Sequence, residues 1–329
     1  TRWEPLTYKW YTQWGKVIEA ITSPTGNLAE ALFDDPSVRA LGVHICLPSD
    51  WRSLAEKILR LPDDLHRHAL VIFFQRLNWL FQVDPEWTKV NLLSFLDSND
   101  IQDQEAMWTG ILGNEDSFSH EIFIFLKPYL LRLVNTGVLK KHSEWATLAD
   151  LLLSAWALTD ASTGEKWISD EELREALLHF NDDVRSHVLW QAGSWTKEMR
   201  EEWAPLLLEL LRNVWPKQLV AKSEVVSKRL IDLAFVDKGI FPEMVAAILP
   251  LLTEISDQYY LLATLEQPCV DMITGYPLET LSLICAVLPD NVANWPYNID
   301  EMLNILGNAG EIVRNDARFI ELKRKWDSR

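Results

Sequence analysis

Apolar residues recur with the period of an α-helix along almost the whole chain, and this pattern constrains the fold most. The segments WRSLAEKILRL (51–61) and ELREALLHF (172–180) both follow it. The runs VIFF (71–74) and IFIFL (122–126) are strand-like in composition, but they lie inside longer helical segments without hairpin turns. We therefore predict an all-α fold.

Local capping signals support the helical prediction. Asp84-Pro85 supplies a capping acid followed by proline at the first helical position. Ser169 is followed three residues later by Glu172, which is the spacing of a capping box. Helices of ten to twenty residues with short connections favour antiparallel pairs packed side by side.

Two segments resemble the second helix of a HEAT-type pair, DDPSVRA (34–40) and NDDVRSH (181–187). In such repeats an acid caps the helix and an arginine reaches the neighbouring turn. We therefore expect Asp35 and Asp183 to cap their helices. We expect Arg39 and Arg185 to reach the neighbouring turns, so that successive arginines form a ladder of contacts. Both copies are about one residue short and no strict period follows, so we predict degenerate pairs stacked into a superhelix.

The turn-forming segment TDASTGEK (159–166) is the best candidate break in the chain. It predicts an N-terminal helical lobe over 1–158 and a C-terminal helical-repeat lobe over 167–329. The chain begins at Thr1 rather than at methionine, so we expect it to be a fragment of a larger protein.

The charge of the chain is strongly acidic and unevenly distributed. Its net charge is −17, and residues 239–313 carry ten acids without a Lys or Arg, as residues 91–126 carry seven. Such stretches repel phosphates, so nucleic acid is not the expected ligand. The acids either keep the surface solvated or receive a basic protein partner. The basic segment 314–329 is expected to fold back on the acidic helices, or to dock on a second copy.

No motif nominates catalytic, cofactor-binding or metal-binding residues. The 12 glycines include no GxG, so nucleotide-binding loops are absent, and His120-Glu121 lacks the second histidine of HExxH. His66 and His68, two apart, face different sides of a helix. We therefore expect a chain that is not an enzyme and uses no cofactor.

The location is expected to be cytoplasmic. No apolar run reaches membrane-spanning length. Cys46, Cys269 and Cys285 lie among apolar neighbours, which favours inert core thiols in a reducing compartment.

Tryptophan is unusually frequent, with 16 residues. Most fall at helical core positions, but five lie near helix ends, where they either pack in the core or anchor a partner: Trp87, Trp108, Trp167, Trp195 and Trp203. Acidity and tryptophan content also suit a helical-toroid carbohydrate-active enzyme, which needs two carboxylates in a Trp-lined cleft. A prenyl-type synthase, the third class, would need metal-binding acids that no motif supplies.

Four blocks of sequence carry a family resemblance: residues 66–96, 108–112, 125–131 and 277–306. Together they resemble the helical C-terminal region of large bacterial sirtuin-like proteins implicated in defence against phage. The resemblance covers most of the chain and implies that the NAD-consuming site lies in a separate upstream domain. It transfers no functional residue to this sequence.

We therefore predict a non-catalytic helical-repeat module for protein recognition or for regulation of a fused or associated effector. Such a module is compatible with oligomerisation.

Overall fold

The computed structural model of the chain describes residues 14–113, 118–136, 138–256, 267–296 and 299–328. All regular structure in these residues is helical apart from one isolated β-bridge, and it comprises twenty α-helices with short 3-10 and π segments. The predicted all-α fold is confirmed. The stacking of helix pairs into a superhelix stays a prediction.

The chain divides into two compact units, Thr1–Ile168 and Ser169–Arg329. The described residues of the first unit form ten α-helices, in chain order: α1 Trp14–Thr22, α2 Pro24–Phe33, α3 Pro36–Arg39, α4 Ser49–Leu59, α5 Asp64–Gln75, α6 Leu77–Val83, α7 Pro85–Asn91, α8 Ile101–Leu112, α9 His120–Leu133 and α10 His142–Ala157.

Helix α5 is the centre of the first unit. It packs against α1, α2, α4 and α8, and residues 69–74 are all buried. A helix covered on every side has a continuous apolar sequence, which explains the strand-like composition of VIFF. Gly110 of α8 lets the α5 and α8 backbones approach, since a Cβ there would lie 2.5 Å from the Val71 carbonyl oxygen.

The predicted cap at Asp84 is confirmed, and its carboxylate has additional partners. One oxygen accepts a hydrogen bond from the Trp87 amide at 3.1 Å and the other accepts one from the Leu47 amide at 3.0 Å. Arg52 lies 3.3 Å from the same buried carboxylate. Asp84 therefore fastens the chain that precedes α4 to the start of α7.

Residues 158–167, which include the predicted break, form an ordered hairpin near the end of the first unit. Thr159 and Lys166 make an antiparallel bridge, and the Trp167 amide donates to the Leu158 carbonyl at 3.0 Å. Gly164 has φ of 73°, in the left-handed region that suits glycine, and its amide donates to the Asp160 carbonyl. The segment is a closed turn rather than a free linker.

The part of the second unit that the structure describes also forms ten α-helices, in chain order: α11 Asp170–His179, α12 Asp182–Glu198, α13 Arg200–Glu209, α14 Glu224–Ala234, α15 Phe241–Ile248, α16 Gln267–Gly275, α17 Pro277–Val287, α18 Ile299–Asn308, α19 Glu311–Arg314 and α20 Ala317–Asp327. Helix α13 continues directly into a π segment, Leu210–Val214. The capping box of Ser169 and Glu172 at the start of α11 is confirmed.

Arg185 takes the position that the repeat analogy predicts. Its buried guanidinium donates to the carbonyls of Leu177 at 3.1 Å, of Phe180, and of Val220 at 3.1 Å. It also pairs with Asp182. Arg185 therefore links the end of α11, the start of α12 and the turn around Val220.

The prediction for Asp183 is wrong. Asn181, not Asp183, caps α12 by accepting from the Val184 amide at 2.9 Å. Asp183 is the second residue of the helix and is exposed.

The first repeat-like segment is only partly as predicted. Asp35 caps α3 and accepts from the Ser37 amide at 2.8 Å. Arg39 is exposed and pairs with nearby Asp34 instead of a neighbouring turn. The reason is length, because the four-residue α3 ends before it forms the second helix of a pair.

The basic C-terminal helix folds back within the second unit, mainly through apolar contacts. Phe319, Leu322 and Trp326 of α20 join a core cluster with residues of α16, α17 and α18. Its cations are largely paired locally, Arg318 with Asp316 and Arg324 with Glu321. Burial of apolar surface, more than charge, therefore holds α20 in place.

Candidate protein-interaction surface

Helix α9 has an apolar inner face and a second, outward face that also carries large apolar side chains. The inner residues are buried in the first unit: Ile122, Phe123, Leu126, Leu130 and Leu133. On the outward face Ile124 is 44% exposed and Phe125 is 37% exposed. The start of α9 is fixed by the Ser119 amide, which donates to Asn78 Oδ1 at 2.9 Å.

The outward face forms a ladder of three side chains, Phe125, Tyr129 and Arg132, which we call the α9 ladder. The Phe125 and Tyr129 rings are stacked with centroids 6.3 Å apart. The Arg132 guanidinium lies 5.1 Å from the Tyr129 ring centroid, within cation–π range. These positions are four and three residues apart, which places them along one side of the helix.

Asp97 fixes the central member of the ladder. The Tyr129 hydroxyl donates to Asp97 Oδ2 at 3.3 Å. Burial, followed by the negative charge of Asp97, raises the pKa of Tyr129 above its usual value of 10.0. The phenol therefore remains a hydrogen-bond donor throughout the neutral range.

Ordered aromatic and arginine side chains are suited to protein recognition. Tyr and Arg are enriched among residues that dominate interface energies, and apolar anchors spaced one helical turn apart suit docking against a complementary groove. Stacking and the Asp97 contact already restrict the side-chain rotamers, which lowers the entropy lost on binding.

The tryptophans nominated as exposed anchors are mostly core residues. Trp87, Trp108, Trp195 and Trp203 are all buried. Trp87 Nε1 donates to Glu56 at 3.3 Å, and the Trp195 and Trp203 rings lie 4.5 Å apart. Of the two alternatives for these four residues, their burial therefore favours core packing over partner anchoring, because neighbouring helices cover the helix ends on which they lie.

Trp167 is the half-buried member of the set. Its ring lies 4.9 Å from the His120 ring and 5.3 Å from the Phe123 ring. His120 Nδ1 lies 2.9 Å from Asp160 Oδ2. This cluster fastens the 158–167 hairpin to the start of α9.

The carboxyl group of Asp160 is strongly held in its charged form. Hydrogen bonds from the Ser162 hydroxyl and from the amides of Thr163 and Ser162, with the nearby His120, lower the pKa of Asp160 to about 2. Ser162 bonds to Asp160 and not to His120, so the three side chains do not form a nucleophile–base arrangement.

A second polar network joins α5 to the start of α8. His66 Nε2 and Arg67 Nε both lie 2.9 Å from Asp103 Oδ1. Arg67 also contacts Asp64 at 3.0 Å and Asp100 at 3.1 Å. Among the described residues, no group of three or more His, Cys, Asp or Glu side chains is placed to hold a metal ion.

Cys46 differs from the expected core thiols, whereas Cys285 packs against the core cluster of the second unit. Cys46 is exposed, and Cys285 is half-buried. Burial raises the pKa of the Cys285 thiol. The side chain of Cys269 lies outside the described residues. No helix in the described part of the chain is both long and apolar enough to cross a membrane.

Sequence reasoning missed the α9 ladder, although a signal was present. The segment IFIFLKPYLLRL (122–133) has more apolar residues than one buried helical face requires. This excess predicts either a helix covered on all sides or an exposed apolar stripe. Tertiary contacts decide between the two, and α9 has the exposed stripe.

Comparison with known proteins gives one distant similarity. The chain is 24% identical over 321 residues to the uncharacterized protein y4cA of Sinorhizobium fredii (strain NBRC 101917 / NGR234). The match covers 94% of this chain and 26% of that protein, so the chain spans about a quarter of the relative's length. No family model and no solved structure matches the chain.

Proposed function

We propose that this chain is a non-catalytic helical module that recognises a protein partner or regulates an effector to which it is joined. The observation that carries the proposal is the α9 ladder, an ordered and outward-facing row of Phe125, Tyr129 and Arg132. Contiguous exposed patches that contain aromatic side chains mark protein-interaction sites on many folded proteins.

Two further observations support a place within a larger bacterial protein. The relative from Sinorhizobium fredii carries the similar segment in a chain about four times longer. The resemblance to sirtuin-like defence proteins would place the effector in the remaining part of such a chain, in the cytoplasm.

Arg185, which bridges successive helices, fits HEAT-like stacking.

The partner is proposed to be basic near the ladder. The sequence of residues 91–126, with seven acids and no Lys or Arg, favours such a partner, and Asp97 of this stretch contacts Tyr129. Cations from other segments pair with part of this charge, Arg67 with Asp100 and Asp103 and Lys140 with Glu105. A carbohydrate-active enzyme is less well supported, because four of the tryptophans that motivated it are buried in helical cores rather than lining a cleft.

The proposal is tested by placing a photo-crosslinking amino acid at Phe125 in the source cell and identifying the captured protein by mass spectrometry. The captured protein is then purified and its affinity is measured by calorimetry. Phe125→Ala and Arg132→Ala should each weaken binding by about tenfold or more, as anchor residues do.

The matched control is Val90→Ala on α7, where an apolar side chain that is 70% exposed lies outside the ladder. It should leave the affinity unchanged. Capture of no protein at Phe125, or equal affinities for all variants, would overturn the proposed function.

A further inference from the structure

Three turns of α9 present one continuous outward face, which extends the α9 ladder on both sides. An α-helix turns by about 100° per residue, so six positions fall within about 140° of its circumference. Five of them are exposed and Tyr129 is half-buried: Glu121, Ile124, Phe125, Pro128, Tyr129 and Arg132. We call this set the α9 face. The buried residues of the helix lie on its other side.

The two ends of the α9 face carry opposite charges. Glu121 lies in the first turn of α9 and Arg132 lies in the last turn. Within the described part of the chain neither side chain forms an ion pair, and the Arg132 guanidinium lies over the Tyr129 ring. The middle of the face is apolar. Both charges are therefore free to pair with charges of another molecule.

The order of residues along the face makes it complementary to itself. A two-fold axis through its middle, between positions 126 and 127, would set the α9 helices of two copies antiparallel. The residues of one copy would then lie opposite those of the second copy in three kinds of pair, Glu121 with Arg132, Ile124 with Tyr129 and Phe125 with Pro128. A parallel arrangement would instead bring like charges together at both ends, which is unfavourable.

We propose that the α9 faces of two copies of this chain pack antiparallel in this register and form a symmetric dimer. Each of the three pairs occurs twice, so the apolar middle is enclosed between two pairs of opposite charge. Because the same patch is used on both copies, the contact is isologous and association stops at the dimer.

The dimer assigns a form of regulation to the α9 ladder, and in this respect the inference rests on the proposed function. Phe125, Tyr129 and Arg132 belong to the face that the second copy covers. A ladder that recognises a partner is therefore accessible in the monomer and masked in the dimer. Self-association and partner binding compete for the same side chains.

Sedimentation velocity of the purified chain tests whether the dimer forms. One helix face per copy is a small interface, so we expect a dissociation constant of about 10–100 µM. Between about 1 and 300 µM the average mass should rise from the monomer value of 38.0 kDa towards twice that value and no further. The buffer contains about 0.15 M NaCl, which screens the general repulsion between acidic copies beyond about 8 Å.

Two charge reversals test the register. Glu121→Arg places an arginine opposite Arg132 of the second copy, and Arg132→Glu places a glutamate opposite its Glu121. Each variant alone should weaken association by about tenfold or more, because both ends of the symmetric contact become repulsive. An equimolar mixture of the two variants should associate again, because a dimer with one chain of each kind has opposite charges at both ends.

Glu175→Arg on α11 is the matched control. It makes the same change at an exposed glutamate of the second unit, outside the α9 face. This variant should associate as the unmodified chain does, and mixing it with Arg132→Glu should not restore association of that variant. Circular dichroism of each variant checks that the helices remain folded.

Several results would overturn the inference. They are a monomer over the whole concentration range, growth beyond a dimer, association of either single variant at the original strength, and a mixture of the two variants that stays monomeric. The proposed function is decided separately, by capture of a different protein at Phe125. Restored association in the mixture without such a capture would support the dimer and overturn the recognition function.

Discussion

Gly110 of α8 lies directly against the backbone of Val71 in α5, and a Cβ at Gly110 would be 2.5 Å from the Val71 carbonyl oxygen and 2.7 Å from Phe74 Cβ. Neither neighbour can move without separating the two helices. Gly110→Ala should therefore lower the free energy of unfolding by about 1–3 kcal/mol, the usual cost of overpacking. Thermal and urea denaturation measure the change.

Gly275→Ala is the control for this prediction. A Cβ there meets no atom within 4 Å. The substitution should change the free energy of unfolding by less than about 1 kcal/mol. Equal effects of the two substitutions would show that α5 and α8 do not approach as closely as described.

Arg185 and Arg39 offer a matched pair of substitutions. Arg185→Ala removes the donor to four backbone carbonyls and should lower the free energy of unfolding by about 1–3 kcal/mol. Arg39→Ala removes an exposed pair with Asp34 and should change it by less than about 0.5 kcal/mol. Denaturation midpoints that rank the two in the opposite order would contradict the assignment of Arg185 as the structural arginine.

The lowered pKa of Asp160 predicts that part of the free energy of unfolding depends on pH. Its pKa falls from an ordinary value of 3.8 to about 2 in the folded chain. A carboxyl with a lowered folded-state pKa stabilises the fold above its unfolded pKa, and this contribution is lost as the pH falls from about 4 to about 2. Asp160→Asn should remove that component. Carboxyl-carbon NMR titration measures the pKa directly, and a value near 3.8 would refute the prediction.

Substitution of Trp326 distinguishes two explanations for the position of α20, burial of apolar surface and ion pairing. Its ring stacks on Trp295 with centroids 6.3 Å apart, and both indoles are buried. Trp326→Ala should lower the free energy of unfolding by about 3–5 kcal/mol, with little dependence on salt. Lys325→Ala, which removes the long contact with Asp290, should cost less than about 0.5 kcal/mol. A loss for Trp326→Ala that disappears at high salt would favour the electrostatic account.

Features set by a few consecutive residues could be predicted from the sequence. The caps at Asp84 and Ser169 depend on local backbone geometry, and the sequence contains all the groups involved. Arg185 was also predicted, because its carbonyl partners at Leu177 and Phe180 are local.

Features set by packing between distant segments could not be predicted. Proximity to a helix end does not reveal that another helix covers Trp87 or Trp203. The Asp97–Tyr129 contact joins residues 32 positions apart, and no local pattern indicates it. For the same reason the α9 ladder emerged only from the tertiary structure.

The π segment Leu210–Val214 has a consequence for the direction in which the exposed turn Leu219–Ala221 leaves the end of α13. A π turn accommodates one more residue than an α turn, and each residue of an α-helix turns the chain by about 100°. Removing one residue from Leu210–Val214 would restore α-helical hydrogen bonding. It would also rotate the residues that follow the segment by about 100° around the helix axis. The Val220 carbonyl would then lose alignment with Arg185. A single-residue deletion in this segment should therefore break the hydrogen bond between Arg185 and Val220 without shortening α13, so the extra residue of the π turn sets the direction of the chain that follows.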